Sequence, residues 1–328
     1  CGIPNQGPNQ RRNNFNARNS LTANIENYIV SEHRSSDKSR NHSTTIIEHE
    51  TATELDDDQP ESFLSSIITK FELLRKFSRP YAILGTALGV ASCSLIPLET
   101  ISEISPRFFV GVLQAALPMM LIHLFTNGIN QLFDVEMDKV NKPFLPIASG
   151  KMSMKTGVAI VAIASSLSIV MGIMIQSPPL LCAILTFFAF GGAYSIDFPF
   201  LRWKSNAILA AICIMGARAF SIQICVFLHI QRYVLGKPMA FTRSSVLATV
   251  FMCMFAVVVS VLKDIPDMDG DEAFGTKSLA ILLGKEKAFW FGSSLLMMTY
   301  GVAMGVGASS PLMYSKLVTV SILSGLSL

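Results

Sequence analysis

Apolar and polar positions divide the chain into two regimes. Residues 1–62 show no sustained hydrophobic period, whereas from residue 81 onward long apolar runs alternate with short polar connections. The runs cover approximately 81–98, 108–126, 158–175, 180–196, 207–230, 245–262 and 288–308, and an eighth starts near 312. At 1.5 Å of rise per residue, runs of this length cross a bilayer core of about 30 Å as helices. Their length and lack of alternation exclude membrane strands. Pro118 and several glycines fall inside them, which neighbouring helices accommodate. The expected fold class is therefore all-α and integral to a lipid bilayer.

Composition sharpens this reading. The chain is 51% hydrophobic and 15% charged, against about 25% charged in soluble proteins. A disordered chain, a disulfide scaffold and a nucleic-acid-binding domain are excluded. Cys93, Cys182, Cys213, Cys225 and Cys253 sit singly in apolar runs with no C-x-x-C spacing, which reads as packing rather than zinc or disulfide chemistry. The net charge of +3 hides a split between a mixed first stretch, an acidic run from Glu48 to Glu61 and a basic body. Low acidity with scattered Arg and Ser before residue 48 suits a partial organellar transit peptide; a disordered tail is the alternative. The expected organisation is residues 1–62 as tail and acidic linker, and residues 63–328 as one membrane domain. With Cys1 first and Leu328 inside an apolar run, the chain is expected to be incomplete at both ends.

Basic residues set the orientation. Lys70, Arg75, Lys76, Arg79, Lys139, Lys142, Lys151, Lys155, Arg202, Lys204, Lys263, Lys277, Lys285 and Lys287 fall on one side by helix parity. Arg107, Arg232, Lys237 and Arg243 fall on the other. The positive-inside rule puts the first side in the cytosol or the stroma of a plastid.

Two acidic clusters carry the chemistry. The first leaves the second apolar run, with Asn127, Asn130 or Gln131, Asp134 and Asp138 spaced by three or four, one polar stripe if the helix continues. The second, at the end of the sixth run, holds Asp264, Asp267 and Asp271 at the same spacing. Like charges at this spacing repel on a bare helix, so each cluster calls for a compensating cation. Hard oxygen ligands point to Mg2+, which takes one or two carboxylates together with substrate phosphates. Lys142, Lys204, Lys263 and Lys277 nearby suit an anionic ligand. The alternative is a pair of solvated acidic loops. Residues 264–275 lack the ligand alternation of a calcium-binding EF-hand.

The segment Asn130 to Pro143, with Pro146 to Gly150 after it, resembles the first signature of the UbiA superfamily of intramembrane prenyltransferases. Lys263 to Asp271 resembles the second, and Ala193 to Ser195 with Pro199 to Lys204 resembles a further patch. The resemblance is greatest to the plant homogentisate phytyltransferase-like branch, which includes tocopherol and plastoquinone enzymes and the coumarin and flavonoid prenyltransferases of plastids. It implies nine transmembrane helices, about eight of them represented here, in a multi-pass plastid membrane protein. It implies an enzyme that transfers a prenyl group from a prenyl diphosphate to an aromatic phenolic acceptor with Mg2+ between the motifs.

On this basis Asp134, Asp138, Asp267 and Asp271 are expected to be catalytic metal ligands, assisted by Asn130 and Asp264. Arg79, Asn127, Lys142, Lys204, Lys263 and Lys277 are expected at the diphosphate, with a membrane-surface anchor as the alternative for Arg79. Tyr81, His123, Gln131, Phe133, Tyr194 and Arg218 are the candidates for the allyl-cation and acceptor pocket. For the aromatic residues and His123, simple packing is the alternative; Arg218, mid-span where charge is costly, is expected to face the cavity or a partner. Lys151, Gly192 and Thr276 depart from the homogentisate pattern and point to a coumarin such as umbelliferone, or a flavonoid, prenylated with a dimethylallyl or geranyl group. Homogentisate with a phytyl or solanesyl donor is the alternative. A membrane cation transporter using carboxylates is the rival from another class, and it predicts acids near mid-span.

Overall fold

Ser105 and Pro106 start one of the two longest helices among the described residues. The Ser105 side chain accepts from the Phe108 N–H at 3.3 Å, and proline at the first helical position needs no N–H partner. In the computed structural model, which describes residues 63–309, this helix is the third of eleven. The order is α1 (Phe63–Ser78), α2 (Pro80–Leu95), α3 (Pro106–Phe133), α4 (Val135–Asn141), α5 (Met154–Met174), α6 (Pro178–Ser195), α7 (Ala207–Val234), α8 (Arg243–Leu262), α9 (Met268–Ala273), α10 (Leu279–Leu283) and α11 (Lys285–Ala308). The expected tail and linker, and the apolar run near 312, lie outside the described residues.

Six of these helices, α3, α5, α6, α7, α8 and α11, are long and apolar enough to cross a membrane. The first expected span is shorter than the sequence suggested: α2 stops at Leu95 after 16 residues, about 24 Å. Large apolar side chains such as Phe109, Ile163, Met174 and Trp290 point outward, as a lipid solvent allows.

The core lies between α2, α3, α6 and α7, where Met119, Ile122, Ile184, Phe187 and Phe227 are buried. Small residues bring the helices close. A Cβ on Gly128 of α3 would stand 2.4 Å from Val161 of α5 and 2.8 Å from the Phe77 ring, so only glycine lets α1, α3 and α5 meet there.

Helix α7 is wound unevenly. Ala207–Met215 is α-helical, but Gly216–Val226 and Ile230–Val234 take the wider π winding with i→i+5 bonds. At the end of the bundle where α3 begins, Lys237 donates to the Pro97 carbonyl at 2.8 Å and pairs with Glu103 at 2.9 Å and Glu99 at 3.2 Å. That strap ties the α2–α3 connection to the α7–α8 connection. The acidic motifs sit at the other end of α3.

Candidate active site

Both acidic motifs fold in the same way: a long span, a break, then a short helix. α3 ends at Phe133, and Asp134 leaves helical geometry at φ −110°, ψ 19° before α4 begins. α8 ends at Leu262, and Asp267 takes φ −98°, ψ 1° before α9. The continuous stripe expected from the spacing is thus interrupted at Asp134. The backbone still links Asp134 N–H to Asn130 O at 3.0 Å and Asp138 N–H to Asp134 O at 2.7 Å, so the carboxylates stay on one side of the break.

The motifs meet. Lys142 of the first pairs with Asp267 of the second. Asn141 donates to the Asp267 carbonyl and accepts from the Gly270 N–H, both at 3.1 Å. Between and below them lies a cavity of about 410 Å³, within the usual range for small-molecule sites. Asp134, Asp138, Asp264, Asp267 and Asp271 line it near the motifs. His123 lines it further down α3, eleven residues before Asp134 and so about 16 Å along the axis. Phe187, Phe190, Tyr194 and Arg218 complete its walls.

Cations surround the carboxylates. Lys204 stands 2.5 Å and Arg202 3.7 Å from Asp134, and Asn130 donates to Asp134 at 2.5 Å. Arg79 lies 3.9 Å from Asp138. Lys263 is 2.5 Å from Asp264 and donates to the Tyr194 hydroxyl at 2.9 Å. Burial pushes the Asp138 carboxyl up to about 6, against the opposing pull of Arg79 and Lys142. Burial, reinforced by Asp264, likewise pushes Asp271 up to about 6.

The donors fit a hard divalent cation shared with an anion. Asp134 Oδ1 and Asp138 Oδ2 are buried without a hydrogen-bond partner among the described residues. Such lone pairs are costly unless something occupies them. No three acidic, His or Cys side chains converge into a closed cage among the described residues. An open carboxylate set is what Mg2+ uses when waters and substrate phosphates supply its remaining ligands.

Most of the residues singled out from the sequence line this cavity; three do not. Gln131 is buried and donates to the Phe77 carbonyl at 2.7 Å, as Asn127 does to Ser78 O at 2.9 Å. These amides satisfy carbonyls left open at the end of α1 and so hold the turn at Arg79, a left-handed residue at φ 51°. Gln131 thereby positions Arg79 instead of facing an acceptor. Phe133 is 40% exposed and points away from the cavity lining. The Lys277 side chain is exposed, and it is the backbone of Lys277 that contributes, donating to Ser205 O at 3.1 Å. Tyr81 lines the mouth of the cavity. His123 lines the wall with its Nδ1 held 2.5 Å from Thr86 Oγ1. Of the three departures from the homogentisate pattern, Thr276 lines the cavity, Lys151 is exposed, and Gly192 faces Ile196.

Sequence reasoning assigned no role to Asn141 or Arg202. Asn141 stands within the first motif, and Arg202 within the patch that follows α6, so proximity to those motifs was the available signal.

Comparison with known proteins identifies relatives of this chain. The model of the UbiA prenyltransferase family matches residues 83–328. Homogentisate phytyltransferase 1, chloroplastic, of Arabidopsis thaliana is 45% identical over 267 residues, 80% of this chain and 68% of that protein. Coumarin 8-geranyltransferase 1, chloroplastic, of Citrus limon is 42% identical over 265 residues, 81% of this chain and 65% of that one. Naringenin 8-dimethylallyltransferase 2, chloroplastic, of Sophora flavescens is 40% identical over 261 residues, 80% of this chain and 64% of that one. The match thus spans about two thirds of the length of these relatives. A UbiA homolog from Archaeoglobus fulgidus, solved with DMAPP and Mg2+, shares the fold at a TM-score of 0.57 and 17% identity, over 76% of this chain and 83% of that one.

Proposed function

The chain belongs to the UbiA prenyltransferase family, and on that premise we propose that it transfers a prenyl group from a prenyl diphosphate to a ring carbon of a phenolic acceptor, in a plastid membrane. The observation that carries this reading is the meeting of two carboxylate motifs over one cavity, joined by Lys142 and Asn141.

Mg2+, when bound, neutralises the charge that develops on the departing diphosphate. Asp134, Asp138, Asp267 and Asp271 would hold it, with Asn130 orienting Asp134 and Lys263 orienting Asp264. Lys142, Lys204 and Arg79 add fixed positive charge at the cavity's carboxylate end. The apolar walls below exclude water from the allyl cation. The rings of Phe187, Phe190 and Tyr194 stand along those walls, where aromatic faces stabilise a cation. Electron-rich carbon beside the acceptor's hydroxyl then attacks, and a proton leaves the ring.

Within this reading we favour a dimethylallyl or geranyl donor with a coumarin or flavonoid acceptor. Its support is Thr276 in the cavity wall and the coumarin and flavanone transferases among the relatives. The homogentisate alternative is supported by the 45% identical Arabidopsis relative. Membranes containing the protein, with Mg2+ and a panel of prenyl diphosphates crossed with homogentisate, umbelliferone and naringenin, test both. A geranyl- or dimethylallyl-coumarin or flavanone product supports the favoured pair. Preference for homogentisate with phytyl diphosphate supports the alternative.

A further inference from the structure

Among the described residues, Arg218 is a cation left without a counter-ion. It lies in the middle of α7, a span whose surroundings make a bare charge costly. Its side chain lines the cavity together with His123, Phe187 and Phe190. The other cavity-lining cations stand against motif carboxylates: Arg79 with Asp138, Lys142 with Asp267, Lys204 with Asp134 and Lys263 with Asp264. Arg218 makes no hydrogen bond and no ion pair among the described residues.

Its setting keeps it open toward the cavity. Arg218 Nη1 lies 3.8 Å from where a Cβ on Gly85 of α2 would stand, so the facing position on α2 offers it no side chain. The neighbouring His123 is already engaged with Thr86 through Nδ1. The residue rides on the π-wound stretch Gly216–Val226, a winding that is rare and frequent at functional sites.

A guanidinium in an apolar wall, away from the carboxylate end, is suited to a planar anionic oxygen pair or a phenolate and not to an apolar tail. We propose that Arg218 pairs with an anionic oxygen of the aromatic acceptor, a carboxylate on the ring or its side chain or a phenolate, and that this pairing selects acceptors carrying one. The inference rests on the prenyltransferase reading and adds which chemical feature of the acceptor the protein recognises.

The test uses the full-length protein in membranes with Mg2+ and one prenyl diphosphate, comparing the wild type with Arg218→Gln and Arg218→Lys. Product formation by the wild type with any acceptor tests the prenyltransferase reading by itself. The acceptor arm then compares 2,5-dihydroxyphenylacetate with its methyl ester, and follows umbelliferone across the pH range in which its own hydroxyl ionises. If the oxygen is a carboxylate, the wild type prefers the acid over the ester by about 10²-fold in kcat/KM, and Arg218→Gln removes that preference. If it is a phenolate, the wild-type KM for umbelliferone falls as the hydroxyl ionises, and Arg218→Gln abolishes the dependence. In either case Arg218→Lys restores part of the effect, and KM for the prenyl diphosphate stays within about twofold. The proposal is overturned if Arg218→Gln leaves acceptor discrimination and its pH dependence unchanged. It is equally overturned if acid and ester lose rate alike, as a purely structural role requires, or if KM for the diphosphate rises instead.

Discussion

Asn141 and Gly270 form a tight joint between the two motifs: the Gly270 N–H donates to Asn141 Oδ1 at 3.1 Å, and a Cβ on Gly270 would stand 2.2 Å from that oxygen. With Asn141 Nδ2 also on the Asp267 carbonyl, α4 and α9 are held as one unit, and the carboxylates they carry keep a fixed separation. Gly270→Ala forces that joint open, and Asn141→Ala removes it. Each is expected to raise the Mg2+ concentration needed for half-maximal activity by about tenfold, the scale of lost outer-shell support at a metal site. A magnesium titration of initial rates is the check; wild-type midpoints in both variants would show that the joint does not set the site.

Removing a motif carboxylate should cost more. Asp134→Ala and Asp267→Ala are each expected to lower kcat by about 10²-fold or more, as when a main electrostatic contribution is lost. Excess chelator should silence the wild type. Full turnover in chelator, or in both variants, would contradict the assignment of these residues to a metal.

Ionisation of the buried carboxyls predicts a pH dependence of metal binding. Asp138 and Asp271 are held up at about 6 by burial, so the fold favours their neutral forms. The stability those forms contribute is complete below the ordinary carboxylate range, near 4, and is lost as pH rises through 6. Mg2+ needs the ionised forms and offsets that loss. The rise in Tm produced by Mg2+ with inorganic pyrophosphate is therefore expected to be small at pH 5, to grow through pH 6 and to level off above pH 7. An equal rise at pH 5 and pH 7.5 would be the opposite result.

Sidedness can be probed with impermeant thiol reagents in a cysteine-free background. Lys139 in α4 and Glu272 in α9 are exposed at the motif end, and Glu99 is exposed near the Lys237 strap at the other end. Cysteines at 139 and 272 are expected to label from the same face of the membrane, and one at 99 from the opposite face. Labelling of 139 and 272 from different faces would separate the motifs.

How far the sequence reveals this protein depends on what kind of signal each feature leaves. Apolar length shows the spans, because lipid demands it of every residue in them. Paired acids show the motifs, because repulsion at that spacing needs a reason. The break at Asp134 leaves no trace, since four-residue spacing reads the same through a helix as across a helix–turn–helix joint. Gln131 looked like part of the polar stripe, yet it serves a carbonyl 54 positions away, a contact that no local pattern encodes. Lys277 drew notice for its charge, whereas its backbone makes the contact. α2 proved shorter than its apolar run because Ile96, Pro97 and Leu98 remain apolar past its helical end.

The π winding of α7 had no sequence signature at all, and it makes chain length as consequential as residue identity. In a helix each residue turns its successors by about 100°. Deleting any one residue between Arg218 and Val226 would tighten the winding, and the half that carries Phe227 and His229 into the core would then rotate against the half that presents Arg218 to the cavity. The segment should therefore accept many substitutions more readily than it accepts a single-residue gap.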